Sequence, residues 1–190
     1  MKNFTAKQIA QTALLLALCI ISQYFKSLSV YITGPIVNAI LVIATLAVGP
    51  VSGIIISIIA PITAFFFTGS PIMAALPVMF PIIMISNTIL VLFTYYFEKK
   101  KSFRFHLETG LILGSIVKAA FLGITVVLIL LPYFGNAIAA KLPKPEALPK
   151  VLAAAKITFS VTQLITALIG SLIAWLIWHR LKKAIVNTDI

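Results

Sequence analysis

Apolar residues run through this chain in long blocks. The longest uncharged block, Ser27 to Phe97, extends 71 residues between Lys26 and Glu98 without an Asp, Glu, Lys, Arg or His. A soluble core shows a face to water every few residues, so this block is membrane-embedded. A hydrocarbon slab about 30 Å thick takes about 20 apolar residues per helical crossing. The block therefore holds three crossings joined by tight turns at Gly49-Pro50 and Thr68-Gly69-Ser70-Pro71. Three is odd, which puts Lys26 and Glu98 on opposite sides. One apolar run precedes the block and two follow it. The pattern predicts an all-α integral membrane protein, a single domain over 1–190, with crossings near 6–24, 34–48, 51–67, 76–97, 109–131 and 151–181. Spans two and three are short, Pro77 and Pro81 fall in the first turns of span four, and the first span is expected to be retained rather than cleaved. Pro132 to Lys150, with Pro143, Pro145 and Pro149, is expected to be extended or irregular. Gln23 to Thr33 is expected to be a loop.

Composition agrees with this class: 61% of residues are hydrophobic and 10% charged, and the mean hydropathy is +1.13. The net charge of +11 does not signal nucleic-acid binding, because the basic residues flank apolar spans rather than forming a patch within polar sequence. Flanking basic residues set topology and touch anionic lipid in the bilayer. Six crossings return both termini to one side. Lys2, Lys7, Lys99, Lys100, Lys101, Arg104, Arg180, Lys182 and Lys183 then share that side, against Lys26, Lys141, Lys144, Lys150 and Lys156 on the other. The excess predicts both termini in the cytoplasm and a multi-pass protein of the plasma membrane. Trp175, Trp178 and His179 add an interfacial belt.

The chemistry of a self-driven pump is missing. The four acids, Glu98, Glu108, Glu146 and Asp189, all fall in loops or at a terminus, so no span holds a carboxylate for proton or sodium coupling. There is no G-x-x-x-x-G-K-[ST] phosphate loop, no carboxylate pair, and no metal-ligand set around His106 and His179. Cys19 reads as a small buried apolar residue. The chain is therefore expected to be no enzyme and to need no cofactor, and uphill transport requires energy from another subunit.

A few polar groups remain at depth: Asn38, Asn87, Lys118 and Gln163. Left unsatisfied in hydrocarbon, such groups cost several kcal/mol, so they face each other or a cavity. Two readings stand for the amides, interhelical glue or substrate contact. Two stand for Lys118 as well, snorkelling to the inner surface or a cavity cation awaiting an anion. Gly110-x-x-x-Gly114 on the same span permits a close neighbour. Ala6, Ala10, Ala13 and Ala17 form a small-residue ribbon along span one, suited either to packing within the chain or to docking on a separate subunit.

Order and spacing of several motifs resemble the S component of energy-coupling factor (ECF) transporters: Ala13-x-x-x-Ala17 on span one, Gly49-Pro50-Val51-Ser52-Gly53 between spans two and three, Leu131-Pro132-Tyr133-Phe134-Gly135 entering the proline-bearing loop, and Gln163 to Gly170 in span six. The resemblance covers nearly the whole chain. It implies a subunit that binds a vitamin or related micronutrient with high affinity, joins a membrane T subunit and two cytoplasmic ATPase subunits, and topples in the membrane to release its substrate. It also gives Ala13 and Ala17, with Ala10, the docking role, and Asn87, Lys118, Tyr133 and Gln163 the substrate-binding role, to which Asn38 is added as a polar group at depth. Two departures leave the vitamin open: Ile58 to Ile62 lack the acid many members carry after the Gly-Pro turn, and the tryptophans of the thiamine branch are absent. Lys118 points toward an anionic vitamin such as pantothenate, nicotinate or folate. The rival functions are a stand-alone facilitator or channel and a non-transporting membrane scaffold.

Overall fold

A computed structural model describes residues 5–25, 29–100 and 104–188, with side chains through 182. Lys2, Lys26, Lys101 and the Lys183 side chain, used above for topology, lie outside the described residues, as does Asp189. The described chain is helical, with no strand, and six segments are long and apolar enough to cross a membrane.

Helix α1, Ala6–Tyr24, opens with a capping box: the Thr5 hydroxyl accepts from Gln8 N, and Gln8 Oε1 accepts from Thr5 N at 3.0 Å. It continues through Gln23, which is helical and buried rather than part of a loop. Helix α2, Val30–Ala47, starts four residues before the expected Gly34, because Ser29 caps it and accepts from Tyr31 N at 3.1 Å. Pro35 then sits inside the helix. Gly49 (φ 131°) and Pro50 turn the chain into α3, Pro50–Thr68, which ends on left-handed Gly69 (φ 54°), whose N–H bonds Phe65 O at 2.8 Å. At 18 and 19 residues, α2 and α3 each span about 27–29 Å, so neither is short for the bilayer. A five-residue helix, α4, Pro71–Ala75, precedes α5, Met79–Lys100. The fourth crossing thus begins three residues later than expected, with Pro77 in the turn.

The fifth crossing is continuous from His106 to Tyr133: α6, His106–Leu122, a π-helical segment Gly123–Leu130, and a last turn α7, Leu131–Tyr133. The segment expected to be irregular is largely helical. It forms α8, Gly135–Ala139, and a 3-10 turn at Pro145–Ala147, and it leads into α9, Leu148–Thr158. Pro132, Pro145 and Pro149 each occupy a first-turn position, where no N–H is needed. Span six is divided at Phe159 and Ser160, leaving α9 separate from α10, Val161–Thr188.

Helix α2 is the hub. It packs against α1, α3, α5 and α10, and half of its apolar window is buried, compared with 22% for α1. Helix α1 is peripheral, touching α2 and α3. Close crossings are made where side chains vanish. A Cβ on Gly110 would lie 2.5 Å from Phe97 Cβ, one on Gly53 would lie 2.5 Å from Thr45 Oγ1, and one on Gly170 would lie 2.5 Å from Pro35 O. Buried hydroxyls are satisfied along their own helices, as when Thr45, Ser57, Thr94 and Ser115 donate to the carbonyl four residues back at 2.7–2.8 Å. Among the described residues no side-chain N or O that is fully enclosed by protein lacks a hydrogen-bond partner.

Candidate functional site

The alternation of six crossings brings one set of helix ends to a common face: the C-terminal ends of α1 and α3, the N-terminal ends of α2, α5 and α10, and the far part of the fifth crossing. Between them lies a cavity of about 480 Å³. It sits on the face opposite both chain ends. Its size falls within the roughly 300–1,000 Å³ range of small-molecule sites. Most of its wall is aliphatic, supplied by α2, α3 and α4 on one side and by Val151, Ala154 and Ala155 of α9 on the other. Helix α9 therefore covers the cavity instead of extending the last crossing.

Lys118 forms the charged point of this wall. It lies near the middle of the 28-residue fifth crossing and is 2% exposed. Its Nζ donates to Asn38 Oδ1 and to Asn87 Oδ1, the latter at 2.8 Å, so it is turned toward α2 and α5 and runs to neither surface. Asn38 is itself fixed: its Nδ2 donates to Gly34 O at 2.9 Å, which directs Oδ1 to the ammonium. Gly170 lets α10 close against the far side of Asn38. Both partners of Lys118 are neutral amide oxygens, and among the described residues no carboxylate lines the cavity. An ammonium carries three N–H groups, and two are used here. The Asn87 Nδ2 and the Gln163 side-chain amide, both in the wall, bond to no other described residue. Together they present one cation and two amides to a space otherwise mostly apolar.

The structure thus brings together Asn38, Asn87, Lys118 and Gln163. Tyr133 is not among the lining residues; α7 turns its ring outward and it is 80% exposed. Among the wall residues the sequence reading did not single out are Gln23, Ser70, Thr158 and Phe159. Gln23 is occupied, with Nε2 donating to Ala60 O at 3.0 Å and Oε1 accepting from Thr63 Oγ1 at 2.6 Å. Its sequence signal was its place at the same end of a crossing as Gly34 and Asn38. Ser70, Thr158 and Phe159 sit at helix junctions, where apolar periodicity says nothing.

At the other end of the molecule the acids are structural. Glu108 accepts from Trp175 Nε1 at 3.0 Å, and Glu98 lies 3.6 Å from His106 and 3.9 Å from Lys182. Ala6, Ala10, Ala13 and Ala17 are all exposed, flanked by Leu14 at 64% and Ile21 at 58%. The inward face of α1 is instead Thr12, Cys19, Ser22 and Gln23. Thr12 Oγ1 donates to Ser52 Oγ of α3 at 2.9 Å, and Gln8 Nε2 to Val48 O at 3.2 Å.

Six apolar crossings around a part-polar cavity at one membrane face define a multi-pass membrane protein built to hold a small molecule. The profile of one family, described as ECF transporter, substrate-specific component, matches residues 7–181, and the chain belongs to that family. It is a substrate-binding membrane subunit of an ECF importer, and S components bind substrate rather than catalyse. Membership implies association with the T and ATPase subunits of an ECF module. No curated protein and no solved structure matches the chain.

Proposed function

We propose that this subunit captures a small carboxylate micronutrient, of the kind exemplified by pantothenate, nicotinate or folate. Its termini lie in the cytoplasm, so the cavity faces outward and loads from outside the cell. The acid group meets Lys118 Nζ and the Asn87 amide, Gln163 contacts a polar group nearer the mouth, and the aliphatic wall takes the rest. Asn38 serves as the positioning residue for Lys118. Tyr133, outside the cavity wall, has no part in this site. The exposed alanines Ala10, Ala13 and Ala17 receive the T subunit, and the two ATPases drive release.

The observation that carries this reading is Lys118 in a carboxylate-free wall, held only by neutral oxygens. A buried cation without a counter-charge gains most from an anionic ligand. The test pairs each acid with its neutral isostere, pantothenate with pantothenol and nicotinate with nicotinamide. It begins with mass spectrometry of what co-purifies in mild detergent. The acid of a pair should bind, and Lys118→Ala should weaken it about tenfold or more, about 1.4 kcal/mol. Equal binding of acid and isostere, or an unchanged affinity in Lys118→Ala, would defeat the proposal.

A further inference from the structure

The segment that covers the cavity is unusually basic. From Lys141 to Lys156 it carries Lys141, Lys144, Lys150 and Lys156 against a single acid, Glu146, and all five are exposed. None is placed there by the apolar core, and neither salt bridge among the described residues involves them. Lys150 precedes Val151 and Lys156 follows Ala155, and both of those neighbours line the cavity. With the termini in the cytoplasm, these lysines stand on the face where the topology rule disfavours them. They lie on the segment that covers the cavity, and among the described residues its wall carries one charge, Lys118, and no acid. Like-signed charges around a low-dielectric cleft focus the field and raise the local concentration of counter-ions, speeding entry by about tenfold or more.

We propose that Lys141, Lys144, Lys150 and Lys156 form a cationic collar that draws small anions into the cavity and repels small cations. The collar acts on entry rate and on charge selection, whereas Lys118 acts on retention. It deepens the acid reading above, since a neutral substrate would gain nothing from it.

The field can be measured without knowing the substrate. In a Cys19→Ala background, Ser70→Cys or Thr158→Cys places one thiol in the cavity wall. Its modification rates by the anionic reagent sulfonatoethyl methanethiosulfonate and the cationic reagent trimethylammonioethyl methanethiosulfonate are each normalised to a free thiol in solution. In uncharged detergent at ~10 mM salt, where the Debye length is about 30 Å, the anionic reagent should be favoured about tenfold. At ~1 M salt, where it is about 3 Å, the preference should vanish. Replacing all four lysines with glutamine should cut the low-salt preference at least threefold. An unchanged preference in that variant overturns the collar, as does a lack of reaction at both thiols, which would mean a cavity closed to such ions. If Lys118→Ala alone abolishes the preference, the collar fails while the acid reading stands. If the glutamine variant abolishes it but a neutral compound co-purifies, the collar stands and the acid reading falls. Nanodiscs with one-third phosphatidylglycerol add a control: loss of the preference there, with none in zwitterionic discs, means lipid headgroups cover the lysines and the proposal is wrong.

Discussion

Gly170 and Gly123 are both helical glycines of the last two crossings, yet a methyl group at each meets different surroundings. At Gly170 it would lie 2.5 Å from Pro35 O, 2.6 Å from Asn38 Cβ and 3.0 Å from Ala39 N, so α2 backbone must shift. At Gly123 its nearest neighbour is Ser160 Cβ at 3.9 Å, an ordinary contact. Overpacking of the first kind costs about 1–3 kcal/mol, while a tolerated Gly→Ala in a helix gains roughly 0.4–1 kcal/mol. Gly170→Ala should therefore lower the melting midpoint in detergent by roughly 3–10 °C, and Gly123→Ala should hold or raise it. Because Gly170 backs Asn38, the first variant should also weaken substrate binding, and the second should not. The residue scale was only partly legible in the sequence. Asn38, Asn87, Lys118 and Gln163 stood out as polar groups in apolar runs, and their meeting followed from the cost of leaving them unsatisfied. That Lys118 would choose Asn38 and Asn87 over the surface depended on how α2, α5 and α6 align, which no single-helix pattern reveals. Tyr133 was carried by resemblance, and α7 turns it away.

Individual helices are oriented by what they cannot expose to lipid. On α1, Gln8, Thr12, Cys19 and Gln23 lie on the side that meets α2 and α3, and their hydrogen bonds to Val48 O, Ser52 and Ala60 O fix the helix there. The alanine ribbon faces outward as a result. It was legible as a ribbon, but its direction was not, because the inward polar stripe was not set against it. Ala13→Trp with Ala17→Trp should leave substrate affinity unchanged, since neither alanine packs within the chain. Uptake and co-purification of the T subunit should both be lost. A parallel loss of substrate binding would mean that the ribbon serves the chain's own fold. The division of span six was illegible for a different reason. Apolar residues continue across Phe159 and Ser160, so hydropathy records one long span where the backbone makes two helices. Proline in the preceding segment pointed to an extended or irregular path, yet three of its prolines sit at helix starts, where they are compatible with helix.

At the scale of the whole molecule, six crossings with α2 at the hub give a binding subunit whose family implies partner T and ATPase subunits. Reconstituted alone in vesicles, the chain should retain substrate saturably without accumulating it. Accumulation should require the ECF module and ATP. Downhill flux of a labelled acid through the chain alone would favour a facilitator instead. The crossing count was legible because charge-free length suffices for it. The central ammonium also bears on biogenesis. A lysine near the middle of a crossing costs roughly 2.5–3.5 kcal/mol to insert from the translocon. Asn38 and Asn87 both precede Lys118 in the chain, so ribosomal synthesis delivers the two receiving oxygens to the bilayer before the charge that needs them. Asn38→Leu with Asn87→Leu should then be felt at birth, as fifth crossings that fail to integrate in a glycosylation-mapping assay, while adding Lys118→Leu should restore insertion.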